Sequence, residues 1–285
     1  MRLISQMLAA LAAFFVLPAQ AQESLEIVGR PDTGGLNFQP AVTELMRDIV
    51  WLDTMVLIII TVISVFVTGL MIYSIMRFNR RANPTPSTFT HNSPIEVAWT
   101  IIPIVVLVLI GAFSLPVLFK QQEIPVGDIH IKATGYQWYW GYEYTDHDFG
   151  FESFLIGEGK VLNDEVVAEL EAAGYSRDEF LLATDTAVIV PVNKVVTMQI
   201  TGADVIHAWA IPAFGVKQDA VPGRLAQLWF KAEREGIYFG QCSELCGKDH
   251  AYMPITVKVV SQDAYDAWVN AVKAADEYVE VAALN

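Results

Sequence analysis

Gly240-Gln241-Cys242-Ser243-Glu244-Leu245-Cys246-Gly247-Lys248-Asp249-His250-Ala251-Tyr252-Met253-Pro254 contains both cysteines of the chain, followed closely by a histidine and a methionine. These side chains form a soft ligand set. Thiolate and thioether suit Cu(I), imidazole suits Cu(II), and a site holding both can cycle between the two. The loop supplies Cys242, Cys246, His250 and Met253 but only one histidine. A second imidazole has to come from another element, presented by a rigid scaffold facing the loop.

Outward from the loop the texture is that of short strands. Ile129–Thr134, Gln137–Tyr144, Ala187–Thr201, Leu225–Lys231, Gly236–Gln241 and Ile255–Val260 are rich in β-branched and aromatic residues, with glycine and proline between them. Strands of this kind predict a sandwich or barrel. Two helices are expected beside them. One is Asp164–Ala173, with acids in its first turn and Gly174 at its end; the other is Asp263–Ala283, apolar along one face.

Toward the N-terminus the chain becomes apolar. Thr54–Met76 and Val97–Phe119 carry no charge, and each exceeds the roughly 20 residues that span a hydrocarbon core. Arg77, Arg80 and Arg81 follow the first run, with no acid until Glu96. That cationic excess assigns the connecting loop to the cytoplasm. Met1–Ala21 reads as a secretory signal, with Arg2, an apolar core at Met7–Leu17 and Ala19-Gln20-Ala21 as the cleavage site. Both signals give one topology: leader 1–21, an irregular outer arm 22–53, a first span 54–76, a cytoplasmic loop 77–94, a second span 95–119, a periplasmic domain 120–262 with an acidic helical insert at 163–180, and a C-terminal helix 263–285. Both termini are then periplasmic. Ser93-Pro94-Ile95-Glu96 predicts the start of the second span, with Ser93 as N-cap, Pro94 at the first helical position and Glu96 closing a capping box.

Charge is divided the same way. From Lys120 onward there are 25 Asp and Glu against 12 Lys and Arg, a net of −13 out of −14 for the chain. Such a surface repels nucleic acid and suits a basic protein partner met through electrostatic steering.

The histidines are His91, His130, His147, His207 and His250. His91 falls in the cytoplasmic loop. His207 follows the strand that ends near Thr201, where a barrel can present a ligand, and His130 and His147 lack such a setting. Two thiolates can bridge two metals and spread one electron over both. The competing readings of Cys-x-x-x-Cys are a structural disulfide, at home in an oxidising compartment, and a zinc site, for which methionine is a poor ligand.

The loop, the membrane hairpin and the aromatic run Gly135-Tyr136-Gln137-Trp138-Tyr139-Trp140-Gly141-Tyr142-Glu143-Tyr144 together resemble subunit II of haem-copper cytochrome c oxidases, in its alphaproteobacterial form. The likeness covers nearly the whole chain. It implies a two-helix transmembrane hairpin followed by an all-β cupredoxin-like Greek-key barrel with short helical additions, in a bacterial inner membrane. It implies a dinuclear copper A centre, with Cys242 and Cys246 as bridging thiolates, His207 and His250 as terminal ligands, Met253 as a weak ligand and the Glu244 carbonyl on the other copper. The Glu244 side chain would bind a magnesium ion shared with subunit I, and no haem would sit on this chain. Trp138 would receive electrons from cytochrome c, whose lysines would dock on Glu143, Asp146 or Asp148, Asp185 and Asp204. Glu96 would mark the mouth of a proton pathway into subunit I, and subunit III is a further expected partner. A quinol oxidase subunit would lack the copper ligands. A nitrous oxide reductase would lack the hairpin, and a copper-delivery protein would leave Trp138 without a role.

Overall fold

The computed structural model describes residues 25–157 and 160–281. The leader expected at 1–21 and the last residues of the chain lie outside them.

Two helices are long and apolar enough to cross a membrane. Helix α1 (Glu44–Arg77) starts at Thr43, whose Oγ1 accepts the Met46 N–H at 3.0 Å and donates to the Phe214 carbonyl at 2.7 Å. One side chain therefore caps the helix and fastens it to the domain beyond the membrane. Its 34 residues extend about 50 Å, well past a core of roughly 30 Å. The first turns, with Leu45 and Met46 buried, pack on the β domain. This corrects the irregular arm expected over 22–53, which also contains a strand, β1 (Ile27–Gly29).

Helix α2 (Ser93–Gln122) begins one residue earlier than the sequence suggests. Asn92 is the N-cap, its Oδ1 accepting the Ile95 N–H at 3.4 Å, while Glu96 reaches back to the Asn92 N–H at 3.1 Å. Ser93 cannot cap, because the Glu96 N–H it would need is bonded to the Asn92 carbonyl at 3.0 Å. The helix runs through Pro103 and Pro116. Lys120, at its far end, bonds Glu44 at 2.5 Å and Asp48 at 2.6 Å, clamping the two helices together beside the β domain. The apolar faces of both spans are exposed on the isolated chain, as expected for surfaces that meet lipid or neighbouring helices.

The rest is a β domain of two main sheets. Strands β2 (Ile129–Tyr136), β3 (Tyr139–Tyr144), β4 (Phe149–Ser153), β6 (Val196–Gly202) and β9 (Ala226–Phe230) form one, in the order β4-β3-β2-β6-β9. The other runs β1-β10-β11-β5, with β10 (Gly236–Gln241), β11 (Pro254–Val260) and β5 (Val188–Pro191). A hairpin of β7 (His207–Ile211) and β8 (Val216–Ala220) closes the pair. The neighbours β2–β6 and β5–β11 are parallel while β10–β11 is antiparallel, which is the crossed connectivity of a cupredoxin-like Greek key. Between the sheets lie Trp140, Trp209, Tyr142, Tyr144, Phe214 and Phe230, all fully buried, each contributing roughly 1.5–3 kcal/mol of burial.

Ala187–Thr201, read as one strand, is two. Asn193 adopts φ +61°, a left-handed position that asparagine tolerates, and the turn passes the chain from β5 in one sheet to β6 in the other. The insert forms helix α3 (Asp164–Ala172), capped by Asn163 and buried through Val166 and Leu170. The C-terminal helix, α4 (Gln262–Ala275), is shorter than expected. Asp276 turns left-handed (φ 57°) and ends it. The tail then folds back, with the Tyr278 hydroxyl accepting the Ala187 N–H at 3.1 Å, the Val279 carbonyl accepting Trp268 Nε1–H at 2.9 Å and Glu280 pairing with buried Lys258 at 2.6 Å. Those core contacts outweigh continuation of an exposed helix.

Candidate metal centre

The cysteine loop is pinned at both ends, since Gln241 pairs with Pro254 across β10 and β11. Midway, the Ser243 N–H donates to the Ala208 carbonyl at 3.0 Å, holding the loop against β7. His207 is the first residue of β7, so its position is set by the sheet. Gly135 on β2 lets the imidazole approach, because a Cβ there would stand 2.8 Å from the His207 ring. A short helical turn at His250–Tyr252 brings His250 back over the cysteines.

The soft atoms meet in one place. Cys242 Sγ lies 3.9 Å from Cys246 Sγ, 3.9 Å from His207 Nδ1 and 3.3 Å from the Glu244 carbonyl oxygen. Cys246 Sγ lies 3.6 Å from His250 Nδ1 and 3.5 Å from Met253 Sδ. Both cysteines are buried and free. A disulfide needs sulfurs about 2.0 Å apart, so the structural-disulfide reading does not describe this pair. His207, Cys242 and Cys246 present ligand atoms within 4.8 Å of one another.

Their electrostatics favour a cation. Burial pushes the Cys242 thiol up, but His207 and the backbone at Glu244 and Ala208 pull it down to about 7. Burial and the neighbouring Cys242 sulfur push Cys246 up to about 12. Two thiolates this close repel, and a bound cation supplies the charge that lets both ionise. A metal bonded at about 2.3 Å to each sulfur can bridge a 3.9 Å pair, with His207 and His250 on the two flanks. Two sulfurs, two imidazoles, a thioether and a carbonyl thus fit a copper pair better than tetrahedral zinc.

Trp138 is not on a strand. Tyr136 pairs with Tyr139, so Gln137 and Trp138 form the two-residue turn between β2 and β3, and the strand expected over Gln137–Tyr144 begins only at Tyr139. Trp140 is buried, its ring edge-on to His207 with centroids 6.0 Å apart. Half-buried Trp138 donates through Nε1 to the Cys246 carbonyl at 3.3 Å, and Lys248 stands over its ring at 5.4 Å. A surface hollow of about 460 Å³ beside it is lined by Gln137, Tyr139, Phe154, Lys160, Asp249 and Tyr252.

The remaining expected residues are dispersed. Glu143 pairs with Lys132 at 2.7 Å, and Asp146 accepts from the backbone and ring of His130. Asp148 occupies a left-handed turn position, and Asp185 accepts the Phe154 and Thr186 N–H groups. Asp204 faces the candidate ligand His207. Its Oδ1 accepts His207 Nε2–H at 2.8 Å and its Oδ2 accepts the Gln137 N–H at 2.7 Å. Partial burial pushes its carboxyl up, but these bonds outweigh that and hold it below the ordinary range. The Glu244 carboxylate is half-buried and has no partner among the described residues. Glu96 lies at the opposite end of α2. Gln137, whose amide donates to the Cys246 carbonyl at 2.8 Å, was not singled out from sequence.

Comparison with known proteins gives the family. The family described as "Cytochrome C oxidase subunit II, periplasmic domain" matches residues 129–260, and its transmembrane counterpart matches residues 31–117. Cytochrome c oxidase subunit 2 of Cereibacter sphaeroides is 64% identical over 256 residues, covering 88% of this chain and 84% of that protein. The subunit 2 of Cyanidium caldarium is 42% identical over 234 residues, covering 82% and 89%. The solved periplasmic domain of subunit II of the Bradyrhizobium japonicum cytochrome oxidase is 48% identical, covering 53% of this chain and 98% of that one, with a TM-score of 0.45. With its paired apolar helices, cupredoxin-like domain and buried thiol pair, the chain belongs to the family of cytochrome c oxidase subunit II.

Proposed function

We propose that this chain takes electrons from cytochrome c at a dinuclear copper A centre and passes them to the haem of oxidase subunit I, where oxygen is reduced to water with proton pumping. The observation that carries this is the buried pair of free sulfurs 3.9 Å apart, flanked by His207, His250 and Met253. Cys242 and Cys246 would bridge the metals, His207 and His250 would bind through Nδ1, and Met253 Sδ and the Glu244 carbonyl would complete the set. Bound there, the copper pair supplies one-electron storage with little change in geometry.

The residues around it do the rest. Burial excludes water. Trp138, bonded to the backbone of a ligand, gives electrons a path from the surface. Docking is carried by the field of the acidic domain more than by one acid, since Glu143 and Asp146 already have partners on this chain and rim charges act on association rate. Asp148 and Asp185 are exposed members of that field. Reduction by cytochrome c, followed by stopped flow, should slow steeply from low to physiological salt as the Debye length shrinks to about 8 Å. A salt-independent rate would remove the acidic-surface argument.

In the assembled complex the β domain and both termini face the periplasm, the Arg77–Arg81 loop faces the cytoplasm, the leader at 1–21 is removed, and subunit III is a further neighbour. The unpartnered Glu244 carboxylate is available to a magnesium ion shared with subunit I, and Glu96, at the cytoplasmic mouth of α2, to a proton path. In that complex Glu96→Ala should slow proton uptake while sparing copper, and Glu244→Ala should abolish the EPR signal of manganese substituted for magnesium. Unchanged signals would leave Glu96 a helix cap and Glu244 a backbone ligand only.

A further inference from the structure

The two imidazoles of the site are held unequally. His207 is fully buried and belongs to β7, so the sheet sets its position. His250 opens a single turn, His250–Tyr252, in which no residue is buried. Asp249 precedes that turn at the N-cap position, yet its side chain makes no capping bond. Inside the loop the turn is secured by two backbone bonds. The His250 N–H donates to the Gly247 carbonyl at 3.3 Å, and the Tyr252 N–H donates to the Asp249 carbonyl at 2.9 Å.

A side chain from outside the loop adds a further hold. Lys160 Nζ pairs with Asp249 Oδ1 at 2.5 Å and stands over the Tyr252 ring, 4.5 Å from its centroid. It therefore grips the residue before His250 and the residue two after it. The Lys160 and Asp249 side chains are 31% and 22% exposed, so this pair is screened less than the fully solvated pairs that add little. The cation over the ring is a second attraction on the same group.

The segment that carries Lys160 is itself firmly seated. It leaves the sheet after β4 and returns before β5, and its ends meet where Leu155 bridges Thr184. The Lys160 N–H closes a turn on the Gly157 carbonyl at 2.8 Å. Gly157 has φ +85°, and a Cβ there would stand 2.8 Å from Val166. Val166 and Leu170 of α3, with Tyr175, pack on Ile237 and Phe239 of β10, the strand that leads into Cys242. Beyond α3, fully buried Glu179 pairs with Arg30 at 2.6 Å. Lys160 thus reaches the loop from a support that has its own core.

We propose that the segment between β4 and β5 braces the copper loop, with Lys160 a positioning residue that holds the His250 turn by its two ends. This rests on the copper reading above and deepens it. It gives the helical insert a role: α3 and Glu179 anchor the support from which Lys160 extends. A contact that orients a ligand tunes metal affinity even though it does not touch the metal.

The test uses the assembled oxidase complex with Lys160→Met, which keeps an apolar stem without the charge, Lys160→Arg, or Asp249→Asn. Four quantities are measured: hydrogen exchange of amides 248–252 in the copper-free complex, copper retention against a competing chelator, the nitrogen hyperfine couplings of the two histidines, and KM for cytochrome c. Lys160→Met is expected to speed exchange in the turn and to weaken copper retention about 10-fold, the lower end of the effect of losing an outer contact. It should shift the coupling of His250 and leave that of His207 as it was. Asp249→Asn should act in the same direction, and Lys160→Arg should restore most of the loss. Unchanged exchange, retention and couplings with a lowered KM would overturn the proposal, making Lys160 only a cation within the docking field. Equal shifts in both histidine couplings would also overturn it, because the disturbance would then be that of the whole domain. The exchange measurement needs no metal, and the copper content of the unmutated complex shows separately whether the copper reading stands.

Discussion

Cys242→Ser is expected to convert the centre from a copper pair to at most a single copper and to stop electron transfer from cytochrome c. Cys242 and Cys246 are the only thiols in the chain, and two metals cannot share one sulfur bridge and keep this geometry. What remains is Cys246 with His250 and Met253, an imidazole–thiolate–thioether set of the kind that binds one copper. His207 loses the sulfur 3.9 Å from its Nδ1. A serine hydroxyl is a hard, poorly ionised donor, so it does not restore that side. Copper per chain should halve, and the hyperfine pattern should become that of one nucleus. The thermal stabilisation gained on adding copper should shrink, because metal that binds only the folded chain stabilises it by mass action. A mutant that retains the shared-electron signal would contradict the bridging role.

Trp138→Ala is expected to slow reduction by cytochrome c on the order of 100-fold, equivalent to about 2.7 kcal/mol of barrier, with copper content and potential unchanged. Trp138 is half-buried in the β2–β3 turn, and its Nε1 bonds the carbonyl of Cys246. Its removal opens the hollow beside it and breaks an aromatic, hydrogen-bonded path from the surface to Cys246. Trp138→Phe separates the two contributions, since it keeps a ring but loses the N–H. A small reductant that diffuses to the loop should reduce mutant and unmutated protein alike. An unchanged rate with cytochrome c would show that electrons arrive elsewhere.

Much of this was legible in the sequence, for identifiable reasons. The membrane hairpin rests on two uncharged runs long enough to span a hydrocarbon core, and neither is buried in the fold. The ligand loop is contiguous, so its chemistry can be read directly. His207 followed from the need for a second imidazole and its place beside a strand. What escaped depended on tertiary contacts. β7 reads His-Ala-Trp-Ala-Ile, and its two alanines hide a strand whose side chains are all buried. The break at Asn193 sits between apolar stretches that look continuous, although Pro191 and Asn193 were the signal. α4 ends early because Tyr278 and Val279 find partners in the core, which no helical periodicity reveals. Trp138 was placed on a strand because the hairpin register, Tyr136 with Tyr139, is not visible in an aromatic run. The resemblance groups Asp204 with the docking acids, and the structure also bonds its carboxylate to His207, three residues on.

The most direct measurement is the copper content and EPR spectrum of the full chain, purified in detergent and loaded with copper. Two coppers per chain sharing one unpaired electron, with hyperfine coupling to both nuclei, are predicted. One copper per chain with a single-nucleus pattern would contradict the dinuclear centre.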